Sequence, residues 1–182
     1  MSHGLATPSH AAGPVPRPLV PLARALAGIN RAVVFLSMIA LVLAALVLTY
    51  SVFSRYFFKA ATDWQDEFAV FLLVGATFMC GAYVQSYRGH VGIEALASVL
   101  PEGVNRVRML LVDLLTFAFC AFFAWKSWTL FHEAWVDHQT TSSSWAPPLT
   151  IPYGLMATGM TLLALQSLLQ LASRLTRAER QR

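Results

Sequence analysis

Charge is what this sequence has least of. Only 12% of its 182 residues are charged, about half of the roughly 25% found in soluble domains. Such a chain has too few polar groups to clothe a core in water, which excludes a soluble globular domain. Cysteine is almost missing as well. Cys80 and Cys120 each lie inside an apolar stretch and form no CxxC pair. A disulfide framework is thereby excluded, as is a quinone-coupled thiol oxidase, which needs outer cysteine pairs. Both cysteines read as small packing residues. Histidine is sparse and scattered. His3 and His10 sit in the N-terminal tail, His90 follows the second apolar run, and His132 and His138 follow the third. No two share a mid-membrane depth, so neither a haem nor a metal centre is expected, and no cofactor is called for. Motifs of the G-x-S-x-G, H-E-x-x-H and P-loop kinds are absent.

What the chain does have is apolar length. Hydrophobic residues make up 57% of it, gathered into four runs. About 20 helical residues cross a 30 Å hydrocarbon core. The uncharged run 32–54 and the run 68–87 both meet that requirement. A third, 109–131, is interrupted by Asp113 and Lys126, and a fourth, 152–172, opens at Pro152. Between the second and third lies 91–100, too short to cross. Its apolar Val91, Ile93, Leu96 and Leu100 alternate with Glu94 and Ser98, a pattern suited to a short helix lying in the interface. The fold expected is therefore an all-α membrane protein of four transmembrane helices plus a short interfacial helix between spans two and three. Residues 1–21, rich in Pro, Gly, Ala and Ser, read as a disordered tail. The membrane domain covers 22–173, and 174–182 forms a basic tail. The N-terminus does not read as a cleaved signal peptide, because the first apolar run starts after Arg31 and is too long for an h-region.

The formal net charge is +4, yet its carriers flank the apolar runs, so they orient the chain rather than recognise nucleic acid. Four spans place ten arginines on one side: Arg17, Arg24, Arg31, Arg88, Arg106, Arg108, Arg174, Arg177, Arg180 and Arg182. Arg55, Lys59 and Lys126 fall on the other. The positive-inside bias predicts both termini in the cytoplasm of a bacterial inner membrane. All five tryptophans, Trp64, Trp125, Trp128, Trp135 and Trp145, fall toward the opposite ends of the predicted spans, where an indole pairs an apolar body with an N–H donor.

Few residues offer chemistry. Asp113 and Lys126 are the charges within a span, but 13 residues separate them, about 20 Å along a helix and on nearly opposite faces. Lys126 is expected to snorkel outward and Asp113 to meet Arg106 or Arg108. The segment Thr62-Asp63-Trp64-Gln65-Asp66-Glu67 suits a helix cap with acidic residues favouring the dipole, and offers alternatively an acidic patch for a partner. Arg88-Gly89-His90 suits a helix end, and the Ser/Thr run before Trp145 a solvated loop. Ala76 with Cys80, and Thr77 with Gly81, recur four apart and allow close helix approach. A self-contained transporter shows repeated halves with broken helices, and neither is visible. These residues suggest an accessory or scaffold membrane subunit. The rival reading is a small membrane enzyme or electron-transfer anchor using Asp113, His90 or His132. A homo-oligomeric channel is a third.

An ordered set of short motifs resembles the small membrane subunit of tripartite ATP-independent periplasmic (TRAP) transporters. Trp64-x-x-Glu67 opens the second span and Gly75-Ala76 lies within it. Arg88-Gly89-His90-Val91-x-Ile93-Glu94 and Leu100-Pro101 follow. Ser144-Trp145-Ala146-Pro147 and Pro152-Tyr153-Gly154 then lead into the fourth span. The likeness covers about residues 30–172. It implies a non-catalytic scaffold packing against a large membrane subunit, which imports an organic acid with sodium after a periplasmic substrate-binding protein delivers it. It also implies that Trp64, Glu67, Gly75, Arg88, His90, Glu94, Trp145, Pro147 and Pro152 serve subunit or membrane-lipid contacts rather than substrate. The Ser/Thr-rich loop and the proline-rich tail depart from the family pattern.

Overall fold

A computed structural model describes residues 20–86 and 102–180. They form four helices: α1 (Val20–Phe58), α2 (Asp63–Ser86), α3 (Glu102–Val136) and α4 (Thr150–Arg180). Each is long and apolar enough to cross a membrane. Helix is the natural outcome in lipid, where every backbone N–H and C=O needs an internal partner. The helices outrun their apolar cores. α1 spans 39 residues and α3 spans 35, because their ends still have neighbours. Asn30, buried before the first apolar run, donates from Nδ2 to Gln166 Oε1 of α4 at 3.5 Å. The expected interfacial helix over 91–100 lies outside the described residues, as do Arg88, His90 and Glu94.

The helices are laid side by side in the order α1, α2, α4, α3. α1 packs along α2, α2 along α4, and α4 along α3, while α1 meets α4 only briefly. The result is an open row. α2 and α4 run parallel, so the chain must travel out and back between them, and α3 makes the return at the far edge.

The burial pattern explains which helices stand outside. On α1, Leu26, Asn30, Val33, Ser37, Ala44, Ser51 and Ser54 are buried, with Ala40 and Val47 half-buried. These positions advance in alternating steps of four and three, a single narrow seam of the 3.5-residue kind. α3 repeats it: Asp113, Cys120, Ala124, Ser127 and Ala134 are buried, and Phe117 and Phe131 are half-buried in the intervening steps. One seam serves one neighbour, so α1 and α3 form the edges. Most seam residues are small, which lets backbones approach where no hydrophobic drive pulls helices together in lipid.

Between α2 and α4 the approach is closest. A Cβ added at Gly159 would stand 2.5 Å from the Phe78 carbonyl oxygen, and one at Gly75 would stand 3.1 Å from Leu155 Cδ1. Toward the other end, Gln85 Nε2 donates to Gln170 Oε1 at 3.1 Å, and Gln170 Nε2 donates to the Gln85 carbonyl at 2.7 Å. Between α4 and α3, Cys120, Ala124 and Met160 make a buried cluster flanked by Phe78, Met156 and Leu163. Trp128 Nε1 donates to Thr161 Oγ1 at 3.0 Å.

Candidate functional site

The charged groups that meet across helices lie at the end where α1 stops, α2 and α4 begin, and α3 stops. α2 starts after a short connection in which Lys59 adopts a left-handed backbone, φ 48°, the usual device for ending a helix. The turn returns the chain beside α1. Ser51, only 1% exposed, donates to Asp66 Oδ1 at 2.9 Å. Arg55 reaches the same carboxylate, Nη2 to Oδ2 at 2.7 Å. Its guanidinium also donates to Thr62 Oγ1, from Nε at 3.1 Å and from Nη2. Asp66 therefore joins α1 to α2 as well as sitting in the favourable first turn. Thr62 is buried, and its hydroxyl serves Arg55 while its carbonyl accepts from Asp66 N at 3.3 Å.

The second wall comes from the α3–α4 connection. α3 ends with His138 at φ 48°, and Gln139 N donates back to the Ala134 carbonyl at 3.1 Å, a Schellman closure with histidine where glycine is commoner. The chain then folds on itself. Leu149 N donates to the Gln139 carbonyl at 2.9 Å and Thr141 N to the Pro147 carbonyl at 3.1 Å, with Thr140 opposite Pro148. Ser144 Oγ donates to Asp63 Oδ2 at 2.8 Å, tying the hairpin to the start of α2. The Ser/Thr run is largely exposed, as a solvated loop should be, yet it folds into a flap, because its backbone groups pair with one another and its serine finds an acceptor.

Under this flap lies an open cleft of about 360 Å³, walled by Asp66, Glu67, Val70, Phe71, Thr141, Leu149 and Pro152. Glu67 Oε2 is buried without a hydrogen-bond partner among the described residues, as is Gln65 Oε1. An unpartnered carboxylate oxygen on a cleft wall is the kind of group that a donor from outside the chain satisfies.

The motif residues are partly united here. Glu67 and Pro152 share the cleft. Trp64, in the first turn of α2, and Trp145, in the flap, are each about half exposed, while Pro147 is buried in the flap. Gly75 lies deeper, at the α2–α4 contact. Arg88, His90 and Glu94 fall outside the described residues. Ser51 and Arg55 were not singled out from the sequence, and their spacing of four on one face of α1 is the signal that could have found them. Asp113 is buried on the α3 seam, and Arg108 donates to Asn105 Oδ1 at 2.8 and 3.2 Å.

The helix end nearest Lys126 is further off than the apolar run 109–131 suggests. α3 continues ten residues beyond Lys126 to Val136, about 15 Å, so the lysine is not within a turn or two of a helix end. Lys126 Nζ lies 5.1 Å from the Trp125 ring centroid, within cation–π range. Among the described residues, no cluster of three His, Cys, Asp or Glu side chains has metal-holding geometry.

Compared with known families, residues 44–177 match the family model described as tripartite ATP-independent periplasmic transporters, DctQ component. The match takes in all of α2 and α3, most of α4 and the last 15 residues of α1. No curated protein and no solved structure matches the chain.

Proposed function

The chain belongs to the DctQ component family of tripartite ATP-independent periplasmic transporters, and from that premise we propose that it is the non-catalytic scaffold subunit of a sodium-coupled importer of an organic acid. It packs in the inner membrane against a large membrane subunit, which carries the substrate path. A periplasmic binding protein supplies the substrate to the assembly. Both termini lie in the cytoplasm, which puts the cleft and its flap on the periplasmic face.

The observation that carries this reading is the open row. A substrate path needs walls on all sides, and a single layer of four helices encloses none. Its two edge helices instead leave long apolar faces uncovered. On α1, Phe35, Leu36, Met38, Val42 and Leu46 all point outward, and on α3 so do Leu111, Leu115, Phe119 and Phe122. Such a layer suits a brace laid against another membrane protein. The polar contacts fit the same role, since Ser51, Arg55 and Asp66 join α1 to α2.

Co-purification and transport together test the proposal. A tagged chain extracted in mild detergent should bring down a larger polytopic membrane protein. Reconstituted alone, it should not drive sodium-dependent uptake of any organic acid. Uptake by the lone subunit, or recovery solely as a homo-oligomer, would overturn the reading.

A further inference from the structure

Of the three carboxylates that open α2, two find donors within the chain. Asp63 accepts from Ser144, and Asp66 accepts from Ser51 and Arg55. Glu67 does not. Its Oε2 is buried on the cleft wall with no hydrogen-bond partner among the described residues. A buried acceptor left without a donor is costly, so the cleft calls for a ligand that brings one.

The rest of the cleft narrows the choice of donor. Beyond Glu67 its walls include Val70, Phe71, Leu149 and Pro152, all apolar. Two neighbouring helices set its level together. The uncharged run 68–87 begins one residue after Glu67, and the run 152–172 begins at Pro152 on α4. The start of two adjacent apolar runs is where hydrocarbon gives way to headgroups. Trp64 and Trp145, both about half exposed, suit that level. Val70 is exposed, so the cleft is open along the apolar flank of α2. Water suits it poorly, because each molecule needs about two to four polar partners and these walls offer few. A lipid with a primary ammonium headgroup has its groups in the required order: N–H donors outermost, then a phosphate, then apolar chain. Arg55, bonded to the cleft-lining Asp66 and itself exposed, carries the charge that a phosphate needs.

We propose that the cleft beneath the flap is a binding site for an aminophospholipid. Glu67 accepts a hydrogen bond from the ammonium, and Val70, Phe71, Leu149 and Pro152 pack against the apolar part that follows. The donor matters as much as the charge. A choline headgroup is equally cationic but has no N–H, so it leaves Oε2 unpaired. No partner subunit is needed, and the site stands or falls apart from the scaffold reading.

Native mass spectrometry of the full chain, loaded in detergent with one lipid at a time, provides the test. Phosphatidylethanolamine, its N,N-dimethyl derivative and phosphatidylcholine keep the positive charge while the N–H donors dwindle to one and then to none. Retention should persist until the last N–H is lost and then fall about tenfold, as expected for one charge-assisted hydrogen bond. Glu67→Gln, which keeps the shape and removes the charge, should lower ethanolamine-lipid retention by a similar factor and erase the preference over choline. Val70→Trp, which fills the cleft and leaves Glu67 in place, should lower retention as well. In lipid-free detergent Glu67→Gln should melt no lower than the unaltered chain. A lower melt would reveal a donor inside the chain and overturn the proposal, as would equal retention of choline lipid or indifference to both substitutions. A membrane-permeant carbodiimide, which joins a carboxylate to an adjacent primary amine with loss of water, should attach ethanolamine lipid to Glu67. Coupling to Lys59, or to a lysine of another protein, in place of lipid would give the cleft to a different occupant and refute the lipid site.

Discussion

Gly159 of α4 lies so close to Phe78 of α2 that a methyl group in place of its hydrogen would meet the Phe78 carbonyl at 2.5 Å and its carbon at 2.6 Å. What it meets is backbone, which has no rotamer to change. Gly159→Ala must therefore push two helices apart, and over-packing of this kind costs about 1–3 kcal/mol. At Gly75 the added carbon would meet the tip of Leu155 at 3.1 Å, and that side chain can shift. Gly75→Ala should cost less than about 1 kcal/mol, helped by its higher helix propensity. Thermal unfolding of the detergent-solubilised chain distinguishes them. Equal losses would show that α2 and α4 do not pack backbone to backbone.

The pair Arg55–Asp66 should be worth less than its 2.7 Å separation suggests. Its side chains are 62% and 47% exposed, so water and salt screen the attraction. A double-mutant cycle with Arg55→Ala and Asp66→Ala should give a coupling of about 0.2–1 kcal/mol that shrinks with added salt. Ser51 is the firmer half of the same junction because it is buried. Ser51→Ala, which removes the hydroxyl and adds no bulk, should cost about 1 kcal/mol. A coupling above about 2 kcal/mol for the ion pair would mean that the junction is drier than its exposure implies.

How much of this was legible in the sequence depends on the length scale. The four spans were plain, since each run of apolar residues falls, over its described residues, in one helix and hydrocarbon thickness sets its length. The order of the helices was not. It is written in small residues such as Ser37, Ala44 and Ser51, which recur in steps of four and three but do not stand out by hydropathy. Asp66 suits a first turn, and nothing in the sequence pairs it with Arg55, which falls beyond the end of the apolar run and counts there only toward the charge balance. Lys126 misled for a related reason. Hydropathy fades after Phe131, so the lysine looked close to a helix end, whereas backbone hydrogen bonding carries α3 on to Val136. The flap was opaque because serine and threonine suit a solvated loop as well as an ordered one; the acceptor Asp63 that decides the matter is 81 residues from Ser144.

That flap should be loosened without unfolding the layer. Ser144→Ala removes the side-chain tie to Asp63 and leaves the backbone bonds from Leu149 and Thr141 in place. Limited proteolysis within 139–147 should accelerate a few-fold, as expected for loss of a bond worth about 1 kcal/mol to a local opening. The midpoint of global melting should barely move. A large fall in that midpoint would mean that the flap is part of the core and not a cover over the cleft.

Orientation rests on charge, and cysteine labelling can decide it. With Cys80 and Cys120 replaced by alanine, single cysteines at Ala60 and Ser142 report one end of the layer, and one at Arg182 reports the other. The arginine excess follows the end that holds Arg24, Arg31 and Arg108, and translocating such segments against the positive-inside bias is unfavourable. A membrane-impermeant maleimide should therefore label positions 60 and 142 in intact spheroplasts and reach position 182 only after permeabilisation. Position 142 serves as an internal check, because the flap and the α1–α2 turn share one end through Ser144 and Asp63 and must label together. The reverse pattern would put the cleft in the cytoplasm, out of reach of any periplasmic protein.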